Sequence, residues 1–79
     1  MSDDSDLRPY ISLANMYNPE LDVPPFKETL NILTLGISKV DQKSKLCFAL
    51  ADLFKKKDDA DKSAYYRMLG EKYQRKEHY

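Results

Sequence analysis

The sequence predicts an all-α protein of four short helices arranged as two helical hairpins. Three observations carry that expectation. Apolar residues recur at steps of three and four in four separate stretches, and no stretch alternates apolar with polar residues as a half-buried strand would. A six-residue string, Ser12-Leu13-Ala14-Asn15-Met16-Tyr17, returns 37 positions later as Ala49-Leu50-Ala51-Asp52-Leu53-Phe54. An echo then follows each copy, Thr34-Leu35-Gly36 and Met68-Leu69-Gly70, 34 positions apart. A repeat in so short a chain points to two related hairpins and to binding rather than chemistry.

Residues 1–5 are small and acidic and are expected to form a disordered tail ahead of a single helical domain spanning 6–76. Ser5 or Asp6 is placed to cap the first helix, with Pro9 tolerated in its opening turn. Leu7, Tyr10, Ala14 and Tyr17 then mark one apolar face, widened by Ile11 and Leu13. Asn18-Pro19 ends this helix, because the residue before proline is pushed out of the helical region.

Glu20 to Pro25 reads as a loop, with Pro25 suited to a first helical position. From there Phe26, Leu30, Leu33, Ile37 and Val40 form the cleanest amphipathic stripe in the chain, and Ile32 and Leu35 on its flank suggest cover on two sides. Asp41 reads as the next cap, followed by the stripe Leu46, Ala49, Leu50, Leu53 and Phe54. Lys55-Lys56-Lys57 puts cations in the last turn, where they meet the negative end of the helix dipole favourably. Asp58-Asp59 turns the chain and caps a fourth helix with Tyr65, Met68, Leu69 and Tyr73 expected on its buried side and Ala64 at the edge. The polar stretch from Gln74 is expected to fray, leaving 77–79 outside the domain.

Seventy-nine residues make one small domain, which buries roughly 60% of the surface its unfolded chain exposes. Lys+Arg and Asp+Glu balance at 13 each, so there is no global field to draw the chain to nucleic acid or to a membrane. The charge is unevenly spread, however. Residues 1–28 hold six carboxylates against two cations, and residues 54–79 hold eight cations against five carboxylates. The single cysteine, Cys47, excludes an intramolecular disulfide and suits a reducing cytoplasmic setting, or a nuclear one in a eukaryote. No apolar run reaches the length of a signal peptide or a bilayer span.

Catalysis needs an activated group and a partner to orient it. His78 is the only histidine and stands one residue from the end, and Cys47 falls beside the third apolar stripe as a small core residue would. Asp58-x-x-Asp61 lacks the glycine and terminal glutamate of a calcium loop, and Gly36 and Gly70 stand too far apart to cradle a phosphate. No enzymatic activity, metal site or cofactor is therefore expected.

The repeated leucine, small residue and aromatic (Leu13, Ala14 and Tyr17; Leu50, Ala51 and Phe54) resemble the first helix of a tetratricopeptide repeat, and the 34- to 37-residue spacing lies near that family's period. Lys56-Lys57-Asp58-Asp59 resembles the turn of those repeats, with Asp58 where glycine is usual. The chain departs from the pattern in its longer first loop at Pro24-Pro25, in Ala64 standing one place late, and in lacking a closing proline. The resemblance implies a concave face lined by the first helix of each pair. Its exposed positions would be Ile11, Asn15 and Asn18 in one copy and Phe48, Asp52 and Lys55 in the other, holding a peptide or helix of a partner protein.

Two further features bear on partners. The apolar residues Ile11, Met16, Ile32, Leu35, Phe48 and Tyr66 exceed what four short helices can cover, which favours a homodimer or an obligate complex with a larger protein that the chain adapts or regulates. The rival reading is a helix-turn-helix-like nucleic-acid binder using Arg67, Lys72, Arg75 and Lys76. Asp58, Asp59 and Asp61 weigh against it, because they crowd the end that would approach phosphate.

Overall fold

A computed structural model of the chain describes residues 6–77. Residues 1–5, His78 and Tyr79 lie outside the described residues, and with them the expected tail and the last two residues of the expected frayed end. Four helices follow in order: α1 (Arg8–Met16), α2 (Phe26–Ile37), α3 (Lys43–Lys56) and α4 (Ala60–Glu77). Among the described residues the only extended pairing is an isolated antiparallel bridge between Asn18 and Val23. The fold is all-α, as the periodicity predicts.

The helices form two consecutive hairpins, of which α3–α4 is much the more closely packed, while α3 also touches α1 and α2. The Cα envelope measures 40 × 34 × 15 Å. Two helices packed about 10 Å apart, each with a Cα radius of about 2.3 Å, account for the short dimension. A slab two helices thick covers one side of each helix and leaves the other to solvent.

Leu33, Val40, Leu46, Leu50 and Leu53 are fully buried and join Ala14 and Tyr17 in one core, with Leu7, Tyr10, Phe26, Leu30, Ile37, Ala49 and Tyr66 packed against it. Each large side chain so buried contributes on the order of 2 kcal/mol. An aromatic ladder ties the elements together. Tyr17, Phe26, Phe54 and Tyr66 contact in turn at centroid separations of 5.6, 5.4 and 5.3 Å, linking the end of α1 to α2, α3 and α4. Lys57 and Lys62 add cations over the rings of Phe26 and Phe54.

The α1–α2 loop is held by its own polar groups. Asn18 and Val23 exchange backbone hydrogen bonds, and Asn18 Oδ1 accepts from the Glu20 N–H. Asp22 sits in the left-handed region, where its carboxylate accepts from the Tyr17 hydroxyl and the Phe26 N–H. At the far end of the second hairpin, α3 closes with a Schellman turn. The Asp59 N–H reaches the Phe54 carbonyl and the Asp58 N–H reaches that of Lys55, with Asp58 at φ 59°. Asp59 then caps α4 by accepting from the Lys62 N–H.

Several local expectations are corrected. The N-cap of α1 is Leu7, because Pro9 at the second helical position has no N–H for a capping side chain to bond; Asp6 instead accepts from the Arg8 N–H and pairs with its guanidinium at 2.8 Å. Pro25 is the N-cap of α2 and not its first residue. Asp41 does not cap α3: the preceding Val40 is anchored in the core, and the helix begins one residue later with Gln42 at its N-cap. The outer flank of α2 is uncovered, with Ile32 45% and Leu35 56% exposed, since the slab places no element there. Gln74 to Glu77 do not fray but continue α4, so the helical domain extends one residue past the expected boundary at 76.

The largest correction is the rotation of α4. Tyr65 and Met68 are 59% and 69% exposed, and the inward face is carried by Ser63, Tyr66, Leu69, Gly70 and Tyr73. Small residues decide this. The Ser63 hydroxyl donates to the Ala51 carbonyl at 2.8 Å, and Gly70, seven residues on and therefore on the same side, admits the ring of Phe48. Tyr66, between them, stacks on Phe54 rather than standing exposed.

On the far flank of α4, Ala64, Arg67 and Glu71, all exposed, stand 34 positions after Leu30, Leu33 and Ile37 of α2.

Candidate functional site

A concavity lies between α1 and α3, a groove of about 540 Å³ lined by Ile11, Ala14, Asn15, Lys45, Phe48, Ala49, Asp52, Lys55 and Lys56. The helical period builds it. In α3, the buried positions 46, 47, 50, 53 and 54 fill one face, so 45, 48, 49, 52, 55 and 56 fall on the next face round. In α1, Ile11, Ala14 and Asn15 share one side at steps of three and one. Ala14 and Ala49 give its lining small side chains, and Ile11 and Phe48 give it large apolar ones.

Five of the six residues expected to face a partner, Ile11, Asn15, Phe48, Asp52 and Lys55, come together around this groove. Asn18 does not. It lies beyond the end of α1, where its backbone is bridged to Val23 and its side chain closes the turn at Glu20. Lys45, Ala14, Ala49 and Lys56 were not anticipated. Positions 45, 49 and 56 follow from the same face of α3, but a comparison restricted to three matched positions in each copy passes over them.

Lysines dominate the electrostatics of the groove. Lys45, Lys55 and Lys56 face a single carboxylate, Asp52. Lys56 is committed: its ammonium donates to the Ala14 carbonyl at 3.4 Å, placing a cation at the negative end of α1 and tying that helix to α3. Among the described residues Lys45 and Lys55 form no ion pair. Phe48 is held in place from behind, since its ring lies against the backbone of Gly70.

The basic residues of α4 line no concavity together. Arg67, Lys72, Arg75 and Lys76 are all exposed; Lys72, Arg75 and Lys76, at i, i+3 and i+4, share one face of the helix, and Arg67, nine residues before Lys76, stands on the opposite side. Arg67 instead borders a smaller hollow of about 370 Å³ at the α3–α4 turn with Lys55, Asp58, Ala60, Ser63 and Ala64. Cys47 is fully buried. Among the described residues no group of His, Cys, Asp and Glu could hold a metal, and no helix is long and apolar enough to cross a membrane. Comparison with protein-family models, with curated proteins and with solved structures finds no match.

Proposed function

We propose that this chain is a small non-catalytic protein–protein interaction module, acting as an adaptor, accessory subunit or regulator in a reducing compartment such as the cytosol. Its binding surface is the α1–α3 groove, and its partner is a segment of another protein. The observation that carries this reading is the convergence of Ile11, Asn15, Phe48, Asp52 and Lys55 on one concave, apolar-lined surface with a cationic rim. Concave sites with apolar walls and a few placed polar groups are the usual form of a binding surface. The tetratricopeptide-like hairpin is the corresponding proposal for the architecture, supported by the left-handed Asp58 at the turn and by the small residues where the helices meet. The nucleic-acid reading has less support, because Arg67 stands apart from Lys72, Arg75 and Lys76, and Asp58, Asp59 and Asp61 lie at the start of α4.

Affinity capture with the intact chain tests the proposal. Asn15→Trp fills the groove from an exposed position without touching the core, and it is expected to abolish partner capture. Lys72→Glu with Arg75→Glu leaves the groove untouched and is expected to retain it. The reverse pattern would transfer the binding surface to α4.

A further inference from the structure

We infer that the occupant of the α1–α3 groove is an acidic amphipathic helix, an inference that rests on the groove being the interface proposed above. Charge is the first reason. Lys45 and Lys55 stand without ion-pair partners among the described residues, Lys56 adds a third cation, and Asp52 is the one opposing carboxylate. Ten residues of α3 separate Lys45 from Lys55, about 15 Å along the helix axis. The cations therefore bracket the length of the groove. They favour a ligand with carboxylates near both ends, and Asp52 between them disfavours a carboxylate in the middle.

Shape and backbone chemistry select a helix. A lining that combines the small Ala14 and Ala49 with the larger apolar Ile11 and Phe48, between two helices, accepts a ridge of apolar side chains. An extended peptide would bring unpaired N–H and C=O groups into this trough. The middle of the groove offers them only two polar side chains, Asn15 and Asp52, and no sheet edge. A helix satisfies its own backbone and presents only side chains. Phe48, backed by Gly70, gives that ridge a wall that is already in position before binding.

The test is selection from a displayed library of random amphipathic helices about four turns long, panned against the intact chain. Enriched clones are expected to carry net negative charge, with an apolar stripe and with Asp or Glu near both ends. A synthetic peptide of one such clone should lose about tenfold or more in affinity against Lys45→Glu with Lys55→Glu, retain it against Lys45→Arg with Lys55→Arg, and weaken as salt rises. Clones that are neutral or basic, or no enrichment at all, would overturn the inference. Selected clones indifferent to both Phe48→Ala and Asn15→Trp would instead sink the groove itself as the interface, and that result is distinguishable from a groove that binds helices of another charge.

Discussion

Phe48 lies so close to the backbone of Gly70 that a Cβ at residue 70 would come within 2.8 Å of Phe48 Cε1. The first hairpin repeats the arrangement: a Cβ at residue 36 would meet Tyr10 Cε1 at 2.6 Å. Each hairpin is closed by an aromatic ring from its first helix seated on a glycine of its second. Glycine inside a helix costs about 1 kcal/mol relative to alanine, and the close approach of the ring is what offsets it here.

Gly70→Ala is accordingly expected to destabilise the chain although alanine is the better helix former. The gain of about 1 kcal/mol in propensity is opposed by overpacking of about 1–3 kcal/mol against the Phe48 ring. Denaturant unfolding of Gly70→Ala, Phe48→Leu and the double variant measures the coupling. The losses should be less than additive, because the smaller side chain at 48 makes room for the new methyl. Strict additivity would mean that the two residues do not oppose each other.

The α3–α4 turn predicts a pair of opposite effects. Asp58 adopts a left-handed conformation that glycine occupies without steric cost, so Asp58→Gly should raise stability by roughly 0.5–1 kcal/mol. Asp59 caps α4, and Asp59→Ala should lower it by about 1 kcal/mol. Thermal or denaturant unfolding reads both, and shifts of the same sign would contradict the assigned roles.

Thr29 is buried in α2, and its hydroxyl has no hydrogen-bond partner among the described residues. Such a group costs about 1–3 kcal/mol in lost hydration. Thr29→Val keeps the shape and removes the hydroxyl, and is expected to raise the unfolding midpoint. A lower midpoint would show that the oxygen is satisfied in solution.

Alkaline pH is expected to weaken the fold through two tyrosines. Burial pushes the Tyr17 hydroxyl above its ordinary value of 10.0, aided by the bond it donates to Asp22; Tyr66 moves the same way through burial, then through its neighbours Tyr65 and Cys47. The folded chain holds these protons more tightly than the unfolded chain. The stability they carry is therefore intact below the unfolded value, 10.0, and lost as pH rises through the folded ones. Tyrosinate absorbance should show two late-titrating groups, and Tyr17→Phe should remove one of them. Titration of all tyrosines together at the ordinary value would contradict this.

The sequence conveys some features of this molecule more clearly than others, for physical reasons. The stripes of α2 and α3 were legible because each is a single run at steps of three and four with polar residues between. In α4, Ala64, Tyr65, Tyr66, Met68 and Leu69 spread apolar groups around more than half the helix, so periodicity could not choose the buried side. The choice falls to Ser63 and Gly70, whose small size carries no weight in a count of apolar positions. The groove was legible because residues flanking a small buried position on a first helix face outward. Asn18 fell outside that logic once the loop closed on Val23, and Lys45 and Lys56 escaped notice because only three positions of each copy flank the small residue in the repeat pattern.

The central claim, that the α1–α3 groove holds another protein, is tested most directly by site-specific photo-crosslinking. A photoreactive amino acid is placed in turn at Asn15 and Asp52 in the groove and at Lys72 and Arg75 on α4, in the cells that produce the chain. Crosslinks from Asn15 and Asp52 to one common partner protein, with none from Lys72 or Arg75, are the predicted result. Crosslinks confined to the α4 positions, whether to protein or to nucleic acid, would contradict it.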